Sequence, residues 1–223
     1  MHTATARIEE ITSYECRAAR LSCPAGVIPA PGQYVQANAL PEEDSALALP
    51  VFSAGLCQGG FYAAPPFPHH WRPGTHLIIR GPFGKGFQLP TAARFVALVA
   101  YGGNPARLLA LAELALAQNA GVVLLAEAAP AGLPAAIEIS PLAALPETLA
   151  WADYAAFDLP RMALTDVLRQ VRRAAYAGAG QVLVETPLPC AGMGECGVCA
   201  VSADKGYRLA CKDGPVFDVK ALH

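Results

Sequence analysis

The feature that most restricts this chain is a knot of cysteines near its end. The segment runs Cys190-Ala-Gly-Met-Gly-Glu-Cys196-Gly-Val-Cys199, and Cys211 follows after a gap of eleven residues. The chain has seven cysteines, an odd number, and its opening Met1-His2-Thr3-Ala4 lacks the charged-then-apolar pattern of an export signal. A disulfide framework is therefore not expected, and clustered thiols point to metal chemistry. Cys16, Cys23 and Cys57 are scattered through the first quarter and read as ordinary buried thiols.

Three thiolates from one short segment can converge only if the backbone loops tightly. Gly192, Gly194 and Gly197 stand where such loops are needed, because glycine accepts positive φ and lets backbone N–H groups approach sulfur. The spacing is that of plant-type [2Fe–2S] ligation, C-x4-C-x2-C and a distant Cys, with one extra residue in the first gap. Cys190, Cys196, Cys199 and Cys211 are thus candidate cluster ligands. N–H···S contacts in these loops would raise the potential by stabilising the added charge of the reduced cluster. A structural zinc site is the alternative. Zinc sites usually pair two C-x2-C knuckles, and this chain has one.

Upstream, the 223 residues divide by period. Residues 1–90 read as short strands punctuated by Pro and Gly: Thr5–Ile11, Glu15–Ser22, Tyr34–Ala37, Ala48–Ser53, Gly60–Ala63 and His76–Arg80. Strands at this spacing predict a small antiparallel barrel. Residues 91–186 alternate strand and helix. An apolar run, Phe95–Tyr101, ends in Gly102-Gly103; Asn104 caps a helix that opens at Pro105 and runs to about Asn119. Val122–Ala126, Ala136–Ile139, Tyr154–Asp158 and Gln181–Glu185 are further strands. A helix after Pro160 turns Met162, Leu164, Val167, Leu168 and Val171 inward, and Arg169, Arg172 and Arg173 to water. That alternation implies a parallel α/β sheet. Residues 187–223 carry the cysteines, without a regular period. There Asp213-Gly214-Pro215 reads as a turn that fixes Cys211 and lets Val216 and Phe217 pack back.

Composition narrows the partners. Net charge is −2 with no basic run, which gives nucleic acid no electrostatic footprint. No stretch reaches the roughly 20 apolar residues of a membrane span, and a cytoplasmic protein is expected. Hydrophobic residues make up 54% and charged ones 15%. So little charge suggests that part of the surface is covered, for example by a permanent partner.

With these motifs in place the chain resembles the electron-transfer subunit of NAD-linked bacterial dihydroorotate dehydrogenase, within the ferredoxin-reductase-like group. The resemblance rests on Gly194-Glu-Cys-Gly-Val-Cys199 and Cys211-Lys-Asp-Gly-Pro-Val-Phe217. It also rests on Pro31-Gly-Gln-Tyr-Val35, similar to the family's P-G-Q-F-V, and on Gly81-Pro-Phe-Gly-Lys-Gly-Phe87, similar to its G-P-L-G-x-G-F. It implies a flavin-binding barrel, a nicotinamide-binding α/β domain and a [2Fe–2S] segment. It further implies a hetero-oligomer with a separate FMN-containing dehydrogenase, acting on dihydroorotate in pyrimidine biosynthesis.

The departures are as specific as the matches. The family holds FAD with R-P-x-S; this chain has Pro50-Val51-Phe52-Ser53, which keeps Ser53 as a flavin contact and loses the arginine. A missing cation at the pyrophosphate weakens binding by about 1.5–3 kcal/mol. A Pro-rich stretch, Ala63–Pro73, replaces the next phosphate-binding element, and its His69 and His70 read as surface loop residues. Of the glycine-rich nucleotide turn only Gly102 and Gly103 remain, and Glu185-Thr186-Pro187-Leu188-Pro189 stands where the family has C-G-P-x-P-M. The usual helix before the cluster segment is missing. The expectation is an intact cluster site, a degraded FAD site and a doubtful NAD(H) site. No residue is expected to be catalytic, so the chain reads as a subunit rather than a stand-alone enzyme.

Overall fold

The computed structural model describes residues 2–12, 19–40, 47–102, 104–127, 132–190 and 192–223. Six strands open the chain: β1 (His2–Ile11), β2 (Ala19–Ser22), β3 (Tyr34–Leu40), β4 (Leu49–Cys57), β5 (Gly60–Ala63) and β6 (His76–Phe83). They close into an antiparallel barrel in the order β1-β2-β5-β4-β3-β6. Alternation along the strands sends Ile8, Leu21, Val35, Ala37, Val51, Phe61, Leu77 and Ile79 into its core. The expected second strand is present over Ala19–Ser22, and the rest of its expected span lies in residues 13–18, which with Cys16 are outside the described residues. Cys23 and Cys57 are half-buried rather than buried.

The second unit contains β7 (Phe95–Ala100), α1 (Ala106–Ala117), β8 (Gly121–Leu125), β9 (Ile137–Ser140), α2 (Leu145–Trp151), β10 (Tyr154–Pro160), α3 (Leu164–Arg173) and β11 (Ala179–Glu185). Its strands lie parallel in the order β11-β10-β7-β8-β9. The chain walks outward from β7 to β9, then crosses back to lay β10 on the other side of β7. The crevice at such a reversal, beyond the carboxyl ends of β7 and β10, is where sheets of this kind take ligands.

Two further elements come from the cysteine segment. β12 (Ala200–Ala203) and β13 (Gly206–Leu209) form a hairpin, and β14 (Val216–Asp218) pairs antiparallel with β11, so the sheet is not wholly parallel. Met162 is 90% exposed, contrary to the expected inward facing. It sits in a 3-10 turn, Arg161–Ala163, before α3 begins, so the helical period does not apply to it.

Low charge has an internal explanation. Helix α1 packs against barrel strand β4 as well as against β7 and β8, and Leu108, Leu109, Leu111, Ala112 and Ala115 are all buried. A helix covered on two sides needs apolar residues on most of its circumference. Much of the apolar composition therefore goes into joining the barrel to the sheet.

Candidate metal centre

The four cysteines come together through short-range backbone chemistry. Gly192, Gly194 and Gly197 have φ of 86°, 78° and 71°, the left-handed region open to glycine. These turns fold the segment back: Met193 N–H donates to the Cys190 carbonyl at 3.1 Å, and the backbone amides of Gly194, Gly192 and Met193 come near enough to the Cys190 thiol to lower its pKa. The eleven-residue gap to Cys211 is spanned by the β12–β13 hairpin, with Ala200 opposite Leu209. Ala210 N–H then donates to the Cys199 carbonyl at 3.0 Å, which sets Cys211 beside Cys199.

The thiols are neighbours. Cys190 lies beside Cys196, and Cys211 lies beside both Cys199 and Cys190. Burial works against the Cys190 thiolate, but the Gly194 N–H, the Cys196 side chain and two further N–H groups outweigh it and bring the thiol down to about 7. Burial, then Cys199 and Cys190, push Cys211 up to about 12. Cys199 and Cys211 are buried, Cys190 is half-buried and Cys196 is exposed. Among the described residues no three His, Cys, Asp or Glu side chains are gathered as the ligands of a single metal ion. Four neighbouring thiols, with backbone amides close to Cys190, fit the demands of an iron–sulfur cluster.

The rest of the molecule holds this segment in place. Arg161 Nη1 donates to the carbonyls of Val198 at 2.9 Å and Ala200 at 3.1 Å, clasping the loop around Cys199. Arg172, expected to face only water, donates to the Leu222 carbonyl at 3.1 Å. Asp213 Oδ2 accepts from Leu209 N–H at 2.9 Å, and Val216 and Phe217 are buried. The two barrel motifs meet here as well. Gln33 Nε2 donates to the Gly84 carbonyl at 3.0 Å, and Lys85 N–H donates to Gly214.

The crevice at the sheet reversal looks different. Arg107, at the start of α1, donates through Nε to Asp158 Oδ2 and through Nη2 to Glu185 Oε2, each at 2.8 Å. Its guanidinium also lies 5.5 Å from the centre of the Phe52 ring. Burial works against this charge, and Asp158 and then Glu185 more than restore it. What remains beside Pro50, Phe52, Arg107, Glu185, Thr186 and Leu188 is a cavity of about 170 Å³, below the roughly 300–1,000 Å³ of ordinary small-molecule sites. Ser53 is buried, and its hydroxyl is tied to its own strand, accepting from Gly55 N–H at 3.2 Å and donating to the Gly55 carbonyl at 3.4 Å. These residues do not fit a flavin ring in the arrangement seen.

The nucleotide turn is similarly self-contained. Gly102 has φ 75° and turns the chain after β7, while Gly103 lies outside the described residues. Asn104 Oδ1 accepts from Ala106 N–H at 2.9 Å, as the sequence suggests, although α1 begins at Ala106 rather than Pro105. That bond uses one of the N–H groups a phosphate would otherwise take. His69 and His70 are exposed, as expected.

Arg107, Arg161 and Tyr34, whose buried ring stands beside the cysteine segment, escaped sequence reading. For Arg107 the only signal was a cation just inside a helix start. For Tyr34 it was a hydroxyl where the matched family motif has phenylalanine.

Fold and site together define an iron–sulfur protein built on the ferredoxin-reductase-like plan. Residues 188–223 match the family model of the iron–sulfur cluster binding domain of dihydroorotate dehydrogenase B. In structure the chain is similar to the NADH-dependent reduced ferredoxin-NADP oxidoreductase described in connection with flavin-based electron bifurcation. The TM-score is 0.73 at 16% identity, over 97% of this chain and 89% of that one. It is also similar to a ferredoxin reductase of carbazole 1,9a-dioxygenase, with TM-score 0.57 and 15% identity over 78% of this chain and 66% of that one. The FAD apo form of that reductase gives 0.56. At such identities the structural likeness establishes the fold, and the family match establishes the cluster segment. No helix among the described residues is long and apolar enough to cross a membrane.

Proposed function

We propose that this chain is the electron-transfer subunit of a two-component dehydrogenase and holds a [2Fe–2S] cluster on Cys190, Cys196, Cys199 and Cys211. The observation that carries the reading is the group of neighbouring thiols, with the Gly194, Gly192 and Met193 amides close to Cys190. When bound, such a cluster accepts and passes on single electrons. Cys190 with Cys196 and Cys199 with Cys211 form its two ligand pairs, and the exposed Cys196 marks the side open to a partner. The partner is an FMN-containing dehydrogenase, with dihydroorotate as its substrate, in a cytoplasmic hetero-oligomer. The chain is organised as a barrel (1–90), an α/β unit (91–186) and a cluster segment (187–223), the last lending β14 to the sheet.

A second reading is favoured by one observation, the Arg107–Asp158–Glu185 network in the crevice. On it the barrel and sheet have become a scaffold free of flavin and nicotinamide, and only the cluster is retained. A self-sufficient flavin-dependent NAD(P)H oxidoreductase would need that network to move aside.

The test is an absorption spectrum of anaerobically purified protein before and after dithionite, with iron, sulfide and flavin assayed on the same sample. Two irons and two sulfides with bleachable bands support the proposal, and their absence ends it. Titration with FAD and NADH then separates the readings, since the scaffold predicts no saturable binding of either.

A further inference from the structure

Tyr34 opens β3 beside the cysteine segment, and its side chain is 0% exposed. Its ring lies 5.6 Å from that of Phe52 and 5.7 Å from that of Phe83, centre to centre. Its hydroxyl has no hydrogen-bond partner among the described residues. A buried hydroxyl left unsatisfied costs about 1–3 kcal/mol, and phenylalanine would fill the same space without that penalty. The hydroxyl faces the thiols. A Cβ added to Gly192, between Cys190 and Cys196, would lie 3.5 Å from its oxygen. A tyrosine hydroxyl carries its proton at neutral pH, so it is available as a donor.

The thiols lie beside one another, whereas the buried Tyr34 hydroxyl next to them lacks an acceptor among the described residues. We propose that Tyr34 donates a hydrogen bond to a sulfur of the cluster bound by the four cysteines, and thereby raises its reduction potential. The inference rests on the cluster reading above. A donor to sulfur stabilises the charge gained on reduction, so its removal makes the cluster harder to reduce. Tyr34 also touches Phe52, which carries Arg107 on its ring and lines the crevice.

The experiment is Tyr34→Phe in the full chain, handled anaerobically. Iron and sulfide are assayed, the midpoint is measured by equilibrium titration, and iron–sulfur stretching bands are compared in H2O and D2O. Unchanged iron and sulfide are expected, with a more negative midpoint. At fixed potential the ratio of reduced to oxidised cluster should fall severalfold, up to about tenfold, which corresponds to 59 mV for one electron. Part of the deuterium sensitivity of the stretching bands should vanish with the hydroxyl. A fully loaded variant with the wild-type midpoint would overturn the proposal while leaving the cluster reading intact. So would a variant unable to load, because a tuning donor is dispensable for assembly. Wild-type protein without iron and sulfide would remove both.

Discussion

Lys85 donates its backbone N–H to the carbonyl of Gly214, and Val216 N–H returns the bond to the Lys85 carbonyl at 3.4 Å. This exchange joins the barrel exit to the turn that follows Cys211. It gives the Gly81–Phe87 motif a structural role: the motif grips the cysteine segment.

Gly84→Ala tests that grip. Gly84 has φ 75°, and an added Cβ would lie 2.5 Å from Pro215 Cδ and 2.6 Å from the Gly214 oxygen. Positive-φ strain plus overpacking should destabilise the protein by about 2–4 kcal/mol, read as a lower urea midpoint. Iron should also be lost faster to a chelator, because the turn behind Cys211 is displaced.

Arg107→Met should cost about 3–5 kcal/mol in urea unfolding, since it leaves a carboxylate that is 2% exposed facing Glu185 without a cation. Replacing Asp158 by Asn in the same chain should recover part of that loss. An unchanged midpoint for Arg107→Met would show that the network contributes nothing to stability.

Cys199→Ala and Cys211→Ala should each abolish the cluster. Both side chains are at most 3% exposed and sit in the inner pair, where no exposed group can replace them. Iron and sulfide analysis of the purified variants is the check, and wild-type content in either would remove that residue from the ligand set.

Thiol reagents should pass over the barrel cysteines. Burial and then Cys57 push Cys23 up to about 11, and Cys57 itself is raised by burial against the pull of Arg20. The thiolate is the nucleophile, so at pH 8 both are mostly protonated and should alkylate slowly. Their reactivity should rise with pH. Peptide mass mapping after brief iodoacetamide treatment measures it, and rapid labelling at pH 8 would contradict the assignment.

The parts legible in the sequence are those encoded locally. Pro and Gly punctuation marked the barrel strands, and the cysteine spacing with its three glycines marked the thiol site. The β12–β13 hairpin also left a local trace, with Val201 and Ala203 buried on either side of exposed Ser202, but Gly and Cys around it masked the period. Helix α2 is short, seven residues opening beside Pro146, too brief for a helical period to show in the sequence. Arg107 with Asp158 and Glu185, and Tyr34 with the thiols, depend on tertiary approach between separate elements. Such pairings carry no local period, and only the folded arrangement reveals them.

β14 has a wider consequence. It covers Gln181, Val182 and Leu183 of β11, so the outer rim of the main sheet is sealed by the same stretch that carries Cys211. Detaching that stretch bares a row of unpaired N–H and C=O groups, a template for adhesion between chains. Loss of the metal centre therefore threatens more than redox function. A depleted chain whose last lap has come loose is a sticky one, and solubility on storage becomes a simple visible sign of cofactor content.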